Sequence, residues 1–170
     1  MNTKTLKLYA SDLCSALLAG RYKGAAFAAG KELFFDLAVL SYLTARGYKV
    51  QRQVPQKFGG KKGRIDFRIG PSNPVFVEFA CRTDQEGNSL HGMFNESEID
   101  KLSRISTKNR GRRCLLLLDL AKNPIPREKL QTPYKRIRFK GPQRNRHPVT
   151  IVYGHADISY AFRWKPGKKG

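Results

Sequence analysis

The spacing of apolar side chains predicts a chain that switches between helical and extended periods. Residues 4–19 place Leu6, Leu8, Leu13, Leu17 and Leu18 on one moderately amphipathic helix that ends at Gly20. Residues 24–30 are small and suit a flexible link. Lys31–Arg46 is apolar around most of its circumference and stops at Gly47, the pattern of a buried helix. Tyr48–Val54 alternates with the period of a strand and is closed by Pro55. Residues 56–63, with Gly59-Gly60-Lys61-Lys62-Gly63, read as a basic glycine-rich loop. Arg64–Ile69 and Val75–Arg82 read as strands joined by a turn at 70–74.

Thr83–Phe94 is polar and reads as a loop. A helix is expected over 96–108, capped by Asn95 or Ser97, with Ile99, Leu102 and Ile105 facing a core. Arg113–Leu120 is a continuous apolar run, as expected of a strand covered on both faces. Residues 126–132 suit a short helix, and 135–139, 149–153 and 158–163 suit strands. The interior order is α-β-β-β-α-β, a mixed α/β core. A single domain follows, with an N-terminal helical arm (1–29), a core (30–120) and a basic, β-rich C-terminal extension (121–170).

Charge changes this picture. The 170 residues carry 33 Lys and Arg against 13 Asp and Glu, a net +20. Self-repulsion of that size is relieved by a polyanion, and nucleic acid is the usual one. Residues 1–100 hold 14 basic and 10 acidic groups, whereas 101–170 hold 19 and 3. A chain built only to neutralise phosphate gains nothing from acids gathered in one half, so a carboxylate site is expected there. No apolar run has the length of a membrane span, and the start of the chain lacks a signal-peptide core. Three scattered cysteines, Cys14, Cys81 and Cys114, suit buried free thiols rather than a disulfide frame or a zinc site. A soluble, cytoplasmic protein is the expectation.

The two central strands suggest where the acids meet. Ile65, Phe67 and Ile69 should share a face, as should Val75, Val77, Phe79 and Cys81. Pairing these faces in an antiparallel hairpin restricts the register to every second residue, and the register with an ordinary five-residue loop at 70–74 sets Ile65 opposite Phe79, Phe67 opposite Val77 and Ile69 opposite Val75. Asp66 then stands opposite Glu78, with β-carbons about 4.5–5.5 Å apart. Like charges so placed need a cation between them. Arg64 or Arg68 could supply it as a surface salt bridge; a divalent metal could as well, since Mg²⁺ favours one or two carboxylates with water and phosphate in its other positions. The strongly basic half favours the metal. Glu32, opening the second helix, either reaches the end of the hairpin or caps its own helix in solvent. Asp36, one turn on, supports the site or faces solvent.

Glu32, Asp66 in Gly63-Arg64-Ile65-Asp66-Phe67 and Glu78 in Val77-Glu78-Phe79-Ala80 resemble the PD-(D/E)xK, or restriction-endonuclease-like, nuclease superfamily. The layout is closest to small Holliday junction resolvases and to compact homing or restriction enzymes, over roughly residues 30–120. The resemblance implies an αβββαβ restriction-endonuclease-like core and Mg²⁺-dependent hydrolysis of DNA, with Mn²⁺ able to substitute. It also implies a metal held by Asp66 and Glu78, with Glu32 completing the site. The lysine of the motif should stand at position 80, where this chain has Ala80. Lys101 on the following helix is the first choice to replace it, and Arg82 is the second.

The remaining residues offer less. His91, His147 and His155 share no metal-ligand spacing, and His91 sits in a loop from which it could touch substrate. No serine or cysteine has the setting of a nucleophile. The glycine-rich loop lacks the context of a phosphate-binding P-loop and suits a DNA backbone contact through Lys61, Lys62 and Arg64. The densest basic segment offers Lys135, Arg136, Arg138, Lys140, Arg144 and Arg146 to phosphate, with Arg136, Arg138 and Lys140 on one strand face. A metal-dependent DNA endonuclease, acting on duplex or branched DNA and, by analogy, as a homodimer, is the leading expectation. A non-catalytic DNA- or RNA-binding protein, such as a degenerate nuclease or a ribosome-associated protein, is the alternative.

Overall fold

A computed structural model describes residues 1–20, 31–58, 60–83, 90–105, 111–140 and 145–167, with the side chains of 31–34 outside that set. The expected link at 24–30 lies outside the described residues, as do 106–108 of the helix expected over 96–108, which ends at Ser103 with Arg104 as its C-cap. The elements are α1 (Thr3–Leu18), α2 (Lys31–Thr44), β1 (Val50–Phe58), β2 (Lys61–Ile69), β3 (Val75–Arg82), a 3₁₀ turn (Gly92–Asn95), α3 (Glu96–Ser103), β4 (Arg112–Asp119), α4 (Arg127–Arg136), β5 (Val149–Gly154) and β6 (Ser159–Trp164). The fold is α/β, with one six-stranded mixed sheet in the order β1-β2-β3-β4-β5-β6. Antiparallel pairing runs through β1, β2 and β3 and again joins β5 to β6; β3, β4 and β5 are parallel.

Each sheet face carries its own core. α1 and α2 bury Leu6, Ala10, Leu13, Phe35, Val39 and Tyr42 against Phe67, Val77, Cys114 and Leu116. The crossover segments bury Ile99 and Leu102 of α3 and Leu130 and Tyr134 of α4 against Phe76, Leu115, Leu117 and Ile151 on the other face. β4 is buried on both faces, as its unbroken apolar run requires. α1 begins at Asn2, whose side chain accepts the Thr5 N–H at 2.8 Å. At its middle it lies so close to β5 that a β-carbon on Gly154 would fall 2.5 Å from Ala10.

The β2–β3 register pairs Phe67 with Val77, Arg68 with Phe76 and Ile69 with Val75, as the matching of apolar faces requires. Four local expectations fail. β1 does not close at Pro55 but runs on to Phe58, with Pro55 opposite Arg64. It is an edge strand, where a residue without an N–H can point that side to solvent. The basic segment 56–63 is therefore mostly a hairpin rather than a loop, with Lys61 opposite Phe58 and Lys62 opposite Lys57. Ile65 does not share a core with Phe67 and Ile69; it is buried in the other one. No strand forms at 135–139, because α4 continues through Pro133 to Arg136. Leu130, Tyr134 and Ile137 are buried at helical spacing, and this outweighs the alternation of Lys135 to Lys140.

Candidate functional site

The break in the β2–β3 ladder creates the site. Beyond Phe67–Val77 the two strands stop pairing. Asp66 Oδ2 instead accepts the backbone N–H of Phe79 at 3.1 Å, so a side chain takes the place of a ladder bond. On its other side Asp66 faces Gln53 of β1, which lies at the one step skipped in an otherwise continuous β1–β2 register. Gln53 has a φ of 47°, in the left-handed region that non-glycine residues rarely adopt, and its Nε2 lies 3.5 Å from Asp66 Oδ1. The sheet is thus irregular on both flanks of this one aspartate.

Glu78 lies across the opening and is 2% exposed. The Asp66 carboxyl is near enough to act on it. Helix α3 supplies the third member, because Lys101 Nζ lies 2.9 Å from Glu78 Oε1 and 2.6 Å from Glu98 Oε2. The spacing of Glu98 and Lys101 brings both to one helix face while Ile99 and Leu102 are fully buried. Asp66, Glu78, Glu98 and Lys101 therefore form one cluster, half open to solvent at Lys101 and Glu98 and closed at Glu78.

Its electrostatics follow from burial. Loss of hydration, then the hydrogen bond and charge of Asp66, then the charge of Glu98, push the Glu78 carboxyl up to about 10 against the pull of Lys101. Burial would lower the Lys101 ammonium, but its hydrogen bonds and charge contacts with Glu98 and Glu78 outweigh this and hold it above the usual lysine value. At neutral pH, without a further cation, Glu78 keeps a proton and Lys101 keeps its charge.

The other site expectations divide. Arg82 does not turn to the cluster: its Nε and an Nη hold Asp119 of β4 at 2.8 and 2.6 Å, and it also donates to the Asn123 carbonyl. The parallel β3–β4 register sets Arg82 beside Asp119, which is fully buried and also accepts the Tyr153 hydroxyl at 2.5 Å. Asp36 neither reaches the cluster nor faces solvent. It is a residue of α2, 5% exposed and bonded to Arg52 of β1. Glu32 lies in the first turn of α2, with its side chain outside the described residues. Ala80 packs against the core beneath α3.

Of the basic residues, Lys61, Lys62, Arg64, Lys135, Arg136, Arg138 and Lys140 are exposed. Arg146 is not. Its Nη1 pairs with Asp100 and donates to Ser103 Oγ at 3.1 Å, and its guanidinium stacks 4.2 Å from the centre of the Phe139 ring. It is a structural cation, correcting its placement among phosphate contacts, and Arg144 lies outside the described residues. Cys14, Cys81 and Cys114 are free, and burial pushes the Cys14 and Cys114 thiols up to about 12.

Sequence reasoning missed Glu98 and Gln53 as site residues. The spacing of Glu98 from Lys101 was a visible signal for the first. Nothing visible identified the second, because its place depends on the β1–β2 register. Among the described residues no group of three or more His, Cys, Asp or Glu side chains is arranged to hold a metal ion, and no helix is long and apolar enough to cross a membrane. No family model, curated protein or solved structure matches the chain.

Proposed function

We propose that this chain is a Mg²⁺-dependent DNA endonuclease with a restriction-endonuclease-like core. The supporting observation is the convergence of Asp66, Glu78 and Lys101 from β2, β3 and α3 on a break in the sheet. The order α2-β1-β2-β3-α3-β4, three antiparallel strands followed by a parallel crossover, is the order the resemblance implies.

The donor chemistry suits a hard divalent cation. Two carboxyls crowd together so that one retains its proton, and replacing that proton with a cation relieves their repulsion. Mg²⁺ needs only one or two protein carboxylates, so Asp66 and Glu78 suffice to hold it. Bound there, it would supply positive charge at the phosphodiester and ease deprotonation of the attacking water. Mn²⁺, with similar ligand preferences, would substitute.

The chain's own residues have separate tasks. Glu78, buried and protonated without a cation, would give its proton to solvent and hold the cation as a carboxylate. Asp66 is held in place by the Phe79 N–H and by Gln53. Lys101 serves in place of the lysine missing at Ala80: it orients Glu78 and presents positive charge to the phosphate. The exposed Lys61, Lys62, Arg64, Lys135, Arg136, Arg138 and Lys140 hold the DNA backbone. Cutting both strands would engage two copies related by symmetry.

Nicking of supercoiled plasmid with Mg²⁺ tests this reading. The natural chain should convert plasmid to open circles, and Asp66→Ala should abolish cutting while keeping DNA affinity. Lys101→Met should slow cutting by about 100-fold or more. If the natural chain leaves supercoiled, branched and single-stranded DNA intact with both Mg²⁺ and Mn²⁺, the enzyme reading fails and a nucleic-acid-binding module remains.

A further inference from the structure

Two large apolar side chains stand in the open immediately before α3. Met93 is 66% exposed and Phe94 is 64% exposed, both on the 3₁₀ turn Gly92–Asn95. The turn that carries them is firmly seated. Leu90 before it is fully buried, and Asn95 at its end is buried and bonded to the His91 carbonyl at 3.1 Å. Gly92 packs against α4 so closely that a β-carbon there would meet the Pro133 and Tyr134 backbone at 3.1 Å. The Tyr134 hydroxyl donates to the Leu90 carbonyl at 3.0 Å. A rigid base therefore presents two apolar side chains to water, an arrangement that gains stability only when something covers them.

The surroundings indicate what does. Glu98, in the first turn of α3, and Lys101, in its last, follow Phe94 by four and seven residues. The residues after Pro133 and Tyr134 are the exposed cations Lys135, Arg136, Arg138 and Lys140. Glu96, the exposed acid nearest in sequence, lies in the first turn of α3, where the helix amino end offsets its charge. An apolar tip that leads into a carboxylate–lysine cluster, on a base packed where a run of exposed cations begins, fits a ligand with a charged backbone and flat apolar faces.

We infer that Met93 and Phe94 form a wedge that stacks on an unpaired or unstacked DNA base, so that the protein favours DNA with interrupted stacking over continuous duplex. The wedge presupposes the DNA substrate proposed above and names the class of DNA that fits. Inserted apolar side chains are a general means of opening a base step, and an aromatic ring stacks on any base. Phe94 precedes Lys101 by seven residues, about 10 Å at the rise of a helix, or about three base steps of DNA. The interrupted base should thus lie about three nucleotides from the phosphodiester at Lys101.

Fluorescence anisotropy in EDTA, where no strand is cut, tests this with the full chain. The probes are a continuous duplex and the same duplex with one unpaired 2-aminopurine. The natural chain should bind the interrupted DNA about 5- to 150-fold more tightly. Phe94→Ala should lose that preference and the accompanying change in 2-aminopurine emission, and Phe94→Tyr should keep both. Equal affinity of the natural chain for the two DNAs overturns the wedge. So does an equal loss on both in Phe94→Ala, or a change in sedimentation that assigns the patch to a second copy. Stacking through Phe94 by a chain that never nicks plasmid upholds the wedge and sinks the nuclease reading alone; no DNA binding at all overturns both.

Discussion

Replacing Glu78 with glutamine removes the titratable proton at the centre of the cluster while keeping its shape. The carboxyl is 2% exposed and is raised from 4.5 to about 10, first by burial and then by Asp66. Below pH 4.5 both folded and unfolded chains hold this proton, and it does not affect folding. Between 4.5 and 10 the unfolded chain has released it and the folded chain has not, so stability falls as pH rises through that window. At about 1.4 kcal/mol per pH unit, over the 2.5 units from 4.5 to 7, the metal-free protein loses about 3 kcal/mol by pH 7. Glutamine has no proton to release. Allowing about 1 kcal/mol for a poorer hydrogen bond, Glu78→Gln should be about 2 kcal/mol more stable than the natural chain at pH 7. Urea denaturation followed by circular dichroism in EDTA at pH 5, 7 and 9 reads this directly. The natural chain should weaken across the series, with the variant nearly flat. Parallel profiles would refute the placement of a buried, proton-retaining carboxyl at this position. Mg²⁺ at a hundredfold excess over its Kd should then restore about 2.7 kcal/mol to the natural chain at pH 7 and nothing to the variant.

Two further outcomes test the flanks of the site. Gln53→Gly relieves a left-handed backbone beside Asp66 and should raise stability by about 1 kcal/mol in thermal melts while lowering nicking; a fall in the melting midpoint would refute the strain. Replacing Lys135, Arg136 and Lys140 together with glutamine should reduce the slope of log affinity against log salt by about 2.7 and leave the melting midpoint unchanged. Arg146→Met should do the reverse, lowering stability by about 2–4 kcal/mol with the salt slope unaltered, because it strips Asp100 and Ser103 of a buried partner.

The hairpin register was legible because coinciding apolar faces fix the parity of the pairing, and a five-residue turn at 70–74 then sets Phe67 opposite Val77. Lys101 could be named from α3 because Ile99 and Leu102 had to face inward, which fixed the helix rotation. Choosing between Lys101 and Arg82 needed more. Arg82 is claimed by Asp119, thirty-seven residues away, through a parallel pairing that no local pattern announces. The same holds for Arg146, one arginine among many in a basic stretch until Asp100 and Phe139 enclose it. The strand expected at 135–139 failed because alternating charge outside is compatible with a helix whose buried positions are Leu130, Tyr134 and Ile137.

Periodicity, being set by neighbours along the chain, determined from sequence alone that this protein is α/β, which helices are buried, and that Asp66 and Glu78 belong to facing strands. Only the tertiary structure decided that the ladder opens at Asp66, that Gln53 adopts a left-handed conformation beside it, and that Lys101 closes on Glu78. These depend on distances between elements far apart in sequence. A side chain's charge and pKa follow from what surrounds it in space, whereas its period follows only from what precedes and follows it.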